Sequence, residues 1–228
     1  MNAASKSSGG DAEGRPPAPV PARPSLRALN KGVQRCRACD LWEGATQAVM
    51  GEGSLRASLV LVGEQPGDRE DREGHPFVGP AGGILSRGLE RAGIPRGEVF
   101  ITNAVKHFRY KASGKRRIHQ RPDRWQVQAC MPWLDAELAL IKPKALMCLG
   151  ATAAQALIGP SVRVGRDRGR PLDSPLAELV TITVHPSSIL RAPDDRERQA
   201  ALEEFVADLR EVARWLGFAQ DGEGGAHA

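Results

Sequence analysis

Polar side chains that can do acid–base and hydrogen-bonding chemistry stand at the ends of three apolar runs. Glu64 and His185 come directly after such runs, and Asn103 lies near the end of a third. Each run predicts a strand, and the carboxyl ends of parallel strands meet at one edge of a sheet. A carboxylate, an amide and an imidazole at that edge suit ligand recognition and charge stabilisation. Turn formation explains each segment alone, but not all three together.

Four cysteines form a second candidate site. Cys36 and Cys39 make a Cys-x2-Cys pair, and Cys130 and Cys148 follow singly. Four cysteines in 228 residues are too few for a disulfide scaffold, so a metal or cluster site is the better interpretation. Zinc sites usually have a second close pair, whereas a four-thiolate iron–sulfur cluster tolerates wider spacing. The alternative is that Cys130 and Cys148 are small buried apolar residues.

The strongest charge asymmetry lies between Lys106 and Arg124, which contains eight Lys or Arg and one acidic residue, Asp123. The net charge of the whole chain is only +5. A basic segment beside the strand ends predicts contact with nucleic-acid phosphates. A solvated loop is the usual alternative for such a run.

Hydrophobic patterning places these residues on alternating strands and helices. Strands are predicted at 58–62, 98–105, 145–149 and 179–184, and helices at 81–92, 122–141, 151–158 and 194–216. Pro132 predicts a kink in the second helix. The alternation predicts an α/β fold with a mostly parallel sheet covered by helices on both faces.

Composition limits the classes that need to be considered. Apolar residues make up 41% of the chain, which excludes wholesale disorder. Residues 1–25 are rich in Pro, Gly and Ser and predict a disordered tail, and 218–228 predicts a flexible one, leaving a domain at 26–217. The uncharged run 145–162 is broken by Gly and Pro, so no membrane span is expected. No secretory signal is visible, and a cytoplasmic monomer is predicted.

Five motifs, in this order along the chain, resemble the iron–sulfur uracil-DNA glycosylases of family four. They are Cys36-x2-Cys39 with Cys130 and Cys148, the Gly-Glu-Gln-Pro-Gly of 63–67, the Pro-Phe-Val-Gly of 76–79, Thr102-Asn103 with Lys106, and the His-Pro-Ser of 185–187. The resemblance covers roughly 26–216. It implies a three-layer α/β/α uracil-DNA-glycosylase fold with a central, mostly parallel four-stranded sheet. It also implies a [4Fe–4S] cluster on the four cysteines and excision of uracil from DNA, with free uracil as a product.

Two departures from that family resemble its actinobacterial subfamily UdgX, which attaches itself covalently to uracil-containing DNA. Gln65 stands where ordinary members carry Ala or Ser, and Lys-Arg-Arg-Ile-His at 115–119 is an insertion. In the subfamily the histidine of this loop bonds to the sugar left after uracil departs. His119 occupies that position here.

Chemistry and resemblance together suggest roles for the candidate residues. Asn103 would recognise the edge of uracil, Phe77 would stack on the flipped base, and His185 would stabilise negative charge on uracil O2. Glu64 would orient a water, stabilise the cationic sugar or assist His119.

Further residues are expected around that centre. Gly63 and Gln65 would line the substrate pocket, although Gln65 has no firm role from sequence. The expected DNA contacts are Lys106, Lys115, Arg116, Arg117, Arg121 and Ser187.

Three functions remain open at this point. The first is a single-turnover protein that excises uracil, preferably from single-stranded DNA, and stays covalently attached through His119. The second is a conventional multiple-turnover glycosylase in which Glu64 activates water. The third, a non-catalytic iron–sulfur module that binds DNA, is disfavoured by the set of Glu64, Asn103 and His185.

Overall fold

The computed structural model describes residues 14–218. Most of the predicted N-terminal tail, residues 1–13, and the end of the chain from residue 219 lie outside the described residues. Residues 14–25 contain no helix or strand, yet Ala18 and Val20 pack against a buried apolar cluster. This described part of the predicted tail is therefore packed against the domain.

Six strands form two separate sheets. They are β1 (Leu59–Gly63), β2 (Val99–Asn103), β3 (Tyr110–Ser113), β4 (Arg116–His119), β5 (Ala145–Leu149) and β6 (Leu179–Thr183). The central sheet has the order β2-β1-β5-β6, and each neighbouring pair is parallel. Every residue of these four strands is buried, as expected for strands covered on both faces.

Eight α-helices complete the described domain. They are α1 (Leu26–Val33), α2 (Asp68–Glu73), α3 (Pro80–Arg91), α4 (Arg124–Ile141), α5 (Ala151–Leu157), α6 (Val164–Asp167), α7 (Pro186–Leu190) and α8 (Asp195–Leu216). Residues of α3, α7 and α8 pack on one face of the sheet, and residues of α4 and α5 pack on the other. The predicted three-layer α/β/α fold is thus confirmed. One helix, α4, continues through Pro132.

The antiparallel pair β3–β4, here called the hairpin, was predicted only as a basic insertion. Its strands are exposed and rich in Lys and Arg, so they carry no apolar alternation. The turn contains Gly114 at a φ of 57°, which suits glycine. Helix α2 was missed for a similar reason, since all six of its residues are charged. No helix within residues 14–218 is both long and apolar enough to cross a membrane.

Candidate active site

A cleft of about 880 Å³ opens at the carboxyl end of the central sheet. This is the edge at which ligands bind in open α/β folds. The predicted site residues that line it are Glu64, Gln65, Phe77, Asn103, His119, Arg121, His185 and Ser187. Parallel strands and the hairpin therefore bring together residues that are up to 123 positions apart in the sequence.

Gly63, which was predicted to line the pocket, instead lies against Asn103 and Phe77, and those two residues line the cleft. A Cβ on Gly63 would overlap Asn103 Oδ1 and would lie 2.8 Å from the Phe77 ring, so only glycine permits this approach. Asn103 is 2% exposed, and its Oδ1 accepts no hydrogen bond from the described residues. Because an unpaired buried oxygen is costly, this atom is set up to accept an N–H from a ligand.

Phe77 forms a side of the same cleft in an unusual backbone conformation. Its φ is 55°, in the left-handed region that residues other than glycine rarely occupy. Its ring is half-buried and its centroid lies 5.9 Å from that of His185. A flat ligand can therefore contact an aromatic face while its edge meets Asn103.

His185 caps helix α7 and is held as a neutral ring. Its Nδ1 accepts the backbone N–H of Ser187 at 3.2 Å, which leaves the ring proton on Nε2. Burial lowers the pKa of His185 to about 4, although the nearby carboxylate of Glu64 acts in the opposite direction. At neutral pH the side chain can thus donate a hydrogen bond without carrying a charge.

Glu64 and His119 face each other across the cleft. Glu64 Oε1 lies 3.3 Å from His119 Nε2, and the Thr152 hydroxyl donates to Glu64 Oε2. Burial alone would raise the pKa of Glu64, but the hydrogen bonds from His119 and Thr152 outweigh burial and lower it. Glu64 is therefore a carboxylate at neutral pH, and the His119 side chain beside it is 52% exposed.

Gln65 holds the base of the hairpin. Its Nε2 donates to the carbonyls of Arg109 at 3.2 Å and Gln120 at 3.0 Å, and its Oε1 accepts the backbone N–H of Arg109 at 3.0 Å. The side chain thus joins the segments that enter and leave the hairpin. Gln65 is 6% exposed. The structure gives it a role in placing His119, which sequence reasoning had left open.

Arg117 holds the same hairpin from its outer side. Its guanidinium pairs with Asp68 and with Asp71, the latter at 2.7 Å, and only 15% of its side chain is exposed. These bonds use most of its donors within the protein. The predicted contact of Arg117 with DNA is therefore replaced by a contact that anchors the hairpin to α2.

Lys106 does not fit its predicted contact with DNA. Its side chain is 0% exposed and its ammonium lies 2.7 Å from the buried carboxylate of Glu137. The basic pattern of the sequence cannot distinguish a buried lysine from an exposed one. Lys115 and Arg116 are exposed around the hairpin turn, and Arg121 is exposed beside the cleft, where it bonds Gln155.

Three of the four cysteines belong to one buried cluster. Cys36, Cys39 and Cys130 lie together among residues of α1, α4 and the intervening loops, whereas Cys148 lies on β5 in a different cluster. The charges of Cys36 and Cys39 both raise the pKa of Cys130, whereas burial alone raises the pKa of Cys148. The structure therefore does not join Cys148 to the other three, because β5 is enclosed in the sheet.

The three clustered sulfurs each have an N–H donor. The indole of Trp133 donates to Cys36 at 3.3 Å, the backbone N–H of Lys106 donates to Cys130 at 3.2 Å, and Leu41 supplies a backbone N–H to Cys39. Such bonds stabilise thiolates and tune iron–sulfur centres. Burial raises the pKa of Cys39 to about 11 and that of Cys130 to about 12. A bound metal would deprotonate these thiols outright, although no three His, Cys, Asp or Glu side chains of the described residues stand in the arrangement of a metal site in this structure.

His107 is a candidate ligand that sequence reasoning missed. It follows Lys106, whose N–H bonds Cys130, and is only 4% exposed. Burial first, and then the charge of Arg37 beside Cys36, lower the pKa of His107 to about 4. A neutral, buried imidazole is a common metal ligand, and the residue before it bonds Cys130. A nearby histidine in the predicted turn after β2 was the available signal.

Two other cleft residues were also missed. Thr152, in the first turn of α5, orients Glu64, and the Gly-Ala-Thr sequence after β5 was the available signal. Leu190 lines the cleft with 38% exposure, which is unusual for a large apolar side chain. Nothing in its local pattern separates it from a core leucine of α7.

Comparison with known proteins agrees with this geometry. Residues 50–210 match the family model described as the Uracil DNA glycosylase superfamily. The chain is 35% identical to the type-4 uracil-DNA glycosylase of Pyrobaculum aerophilum over 81% of this chain and 91% of that protein. It is 36% identical to the type-4 enzyme of Thermotoga maritima over 79% of this chain and 91% of that protein. The chain therefore belongs to the uracil DNA glycosylase superfamily.

Proposed function

We propose that the protein excises uracil from DNA and becomes covalently linked through His119 to the sugar that remains. The observation that carries this proposal is the contact of Glu64 with His119, at 3.3 Å, over a pocket whose floor presents an unpaired Asn103 oxygen. A base-recognition group, an ionised carboxylate and a potential nucleophile thus share one cleft.

Recognition of uracil follows from the Asn103 amide. Its Oδ1 accepts the N3–H of uracil, and its amide nitrogen donates to O4. Cytosine presents the opposite pattern at these positions and would leave buried groups unpaired, which is a strong basis for rejection. Phe77 stacks on the ring of the flipped base.

Cleavage places opposite charges on the two fragments. The C1′–N1 bond breaks, and its electron pair leaves with uracil as an anion. Neutral His185 donates from Nε2 to uracil O2, where negative charge develops, and the Glu64 carboxylate stabilises the cationic sugar. A neutral donor suits this task because it does not have to lose a proton during the reaction.

Capture by His119 completes the proposed sequence. A ring-nitrogen lone pair of His119 bonds to C1′, while the uracil anion takes a proton from solvent. The alkylated ring then carries the positive charge beside Glu64. No cysteine or lysine of the described residues lines the cleft to displace it, so the product persists and each molecule turns over once.

A conventional multiple-turnover glycosylase is the second candidate. The relatives are named type-4 uracil-DNA glycosylases, and an ionised Glu64 can orient a water as readily as it can support His119. The two candidates differ only in what attacks C1′, which makes their products distinguishable.

The proposed DNA contacts favour a single strand. Lys115 and Arg116 are exposed at the tip of the hairpin, and Arg121 and Ser187 border the cleft. Leu190 is placed to fill space next to a flipped base. An unpaired strand requires no base-pair opening, so it is the less costly substrate. We further propose that the protein acts as a cytoplasmic monomer.

We also propose that Cys36, Cys39 and Cys130 hold a [4Fe–4S] cluster, with His107 as the fourth ligand. When bound, the cluster would cross-link the N-terminal segment to α4 and to the turn after β2. Its contribution would be structural, since these ligands lie outside the set of residues that line the cleft.

Substitution of single cysteines tests this ligand set. Cys36→Ala should lose the brown absorbance of the purified protein and lower its melting temperature, because ligand loss removes folding free energy. Cys148→Ala is the matched control and should keep both colour and iron content, with a small loss of stability from the cavity. Loss of colour in Cys148→Ala but not in Cys36→Ala would reverse the assignment.

Gln65 offers a test of hairpin placement. Gln65→Leu keeps the size of the side chain but removes three hydrogen bonds to Arg109 and Gln120. Covalent product should form about 10–100-fold more slowly, because a misplacement of about 1 Å costs this much. Uracil release should fall less, because the hydrogen bonds of the Gln65 side chain go to Arg109 and Gln120 and not to Asn103 or His185. Equal losses in the rates of uracil release and of covalent capture would contradict a role of Gln65 in placing the hairpin.

The activity itself is tested with labelled single strands that contain one uracil, thymine or cytosine. Base release is measured as free uracil liberated from the labelled base at protein excess, because a strand captured at C1′ has no free aldehyde and would resist cleavage by alkali. Release from the uracil strand alone is expected. No release from any strand would contradict the proposed activity.

A further inference from the structure

Lys106 and Glu137 form a fully buried ion pair behind the floor of the cleft. Both side chains are 0% exposed, and Lys106 Nζ lies 2.7 Å from Glu137 Oε2. The ammonium also donates to Thr102 Oγ1 at 2.8 Å and to the main-chain carbonyl of Asn103 at 2.7 Å. All three of its N–H groups are therefore used.

Glu137 is equally well satisfied from its position on α4. Its Oε1 accepts the backbone N–H of Gly51 at 2.6 Å, and its Oε2 accepts the Thr102 hydroxyl at 2.7 Å. Burying two charges is costly, and apolar replacements of similar volume are often as stable. Stability alone is thus a weak explanation for this pair, whereas a role in positioning nearby backbone would explain it.

The bonds of the pair converge on the backbone that carries Asn103. After β2, the N–H groups of Ala104 and Val105 donate to the carbonyls of Gly63 and Glu64, both at 2.9 Å. The ammonium holds the Asn103 carbonyl from the other side. Because Asn103 Oδ1 has no partner among the described residues, the direction of the amide depends on this backbone.

We propose that Lys106 and Glu137 are a positioning pair that fixes the Asn103 amide for uracil recognition. This inference rests on the proposed function, because it concerns how Asn103 meets the base. The backbone N–H of Lys106 also bonds Cys130. Lys106 therefore connects the cysteine cluster to the recognition pocket through one residue.

The double variant Lys106→Met/Glu137→Gln tests the pair. Methionine keeps the length of the side chain without the ammonium, and glutamine can keep the bonds to Gly51 and Thr102, so no buried charge is left alone. Uracil release at protein excess should be about 10–100-fold slower. Affinity for a single strand carrying a tetrahydrofuran abasic analogue should stay within about twofold, because that ligand lacks the base that Asn103 contacts.

Glu137→Gln alone is the matched variant, because it keeps the bond from Lys106 to the Asn103 carbonyl; its melting temperature is measured first, because it leaves one buried charge without its partner. It should lose much less uracil release than the double variant. Equal losses of uracil release in the single and the double variant would overturn the positioning role. A parallel loss of binding to the abasic analogue would overturn it as well. If the double variant does not fold, Lys106→Met/Glu137→Met replaces it as an apolar pair, and failure of both to fold would assign the pair to folding alone.

The outcomes separate this inference from the function on which it rests. Absence of uracil release from the natural protein would contradict the proposed function itself. Normal release by the natural protein and by a folded double variant would overturn only the positioning role.

Discussion

Replacing His119 with alanine is expected to abolish the covalent protein–DNA product. The reason is that His119 supplies the only side-chain nitrogen beside Glu64 among the described contacts, at 3.3 Å. Uracil release should continue, because Asn103 and His185 are untouched and water can enter the space left by the imidazole. The measurement is a denaturing gel for the covalent product, run in parallel with an assay of abasic sites.

Ile118→Ala is the matched control for His119→Ala. Ile118 is the preceding residue of the hairpin, is 46% exposed and makes no side-chain hydrogen bond. Its replacement should leave the covalent product in place while changing the hairpin surface to a similar extent. A covalent product that persisted in His119→Ala would show that another group attacks the sugar.

Glu64→Gln is expected to slow both uracil release and capture by about 10²–10³-fold. Glutamine keeps the size of the side chain and can still bond Thr152 and His119, but it removes the negative charge next to the sugar. The cation that forms at C1′ then loses a fixed, partly buried counter-charge, and such preorganised groups are worth this much in rate. Rates of both steps are measured at protein excess.

Thr152→Val separates charge from orientation at Glu64. It removes the hydroxyl that fixes Oε2 but leaves the carboxylate. Its rates should lie between those of the natural protein and Glu64→Gln. If Glu64→Gln reacted as fast as the natural protein, Glu64 would be a structural residue of the cleft and not a stabiliser of charge.

The central sheet could be predicted because its strands carry a simple signal. Buried parallel strands appear as continuous apolar runs, and both ends of all four strands were placed to within two residues. The convergence of Glu64, Asn103 and His185 then followed from strand direction. The rule that the carboxyl ends of parallel strands meet at one edge of the sheet was sufficient to predict that these three residues lie together.

Roles that depend on tertiary contacts could not be obtained in this way. The sequence predicts a DNA contact for Lys106 because it shows the charge of this residue. It does not show the buried partner, Glu137, which lies 31 positions away. Gln65 bonds carbonyls 44 and 55 positions away, which no local pattern encodes.

The cysteines show the same limit of local pattern. The count of four and the family resemblance grouped Cys148 with the other three, whereas the structure places it in the middle of a buried strand, in another part of the core. The only signal for His107 was a histidine just after the strand that carries Asn103.

The most direct measurement is mass spectrometry of the tryptic peptide that carries His119, after reaction with a labelled single strand containing one uracil. Covalent capture predicts a gel band that survives denaturant, is absent with thymine or cytosine, and maps to a deoxyribose adduct on His119. Abasic strands that accumulate beyond one equivalent of protein, with an unmodified His119 peptide, would contradict capture and establish the conventional reaction.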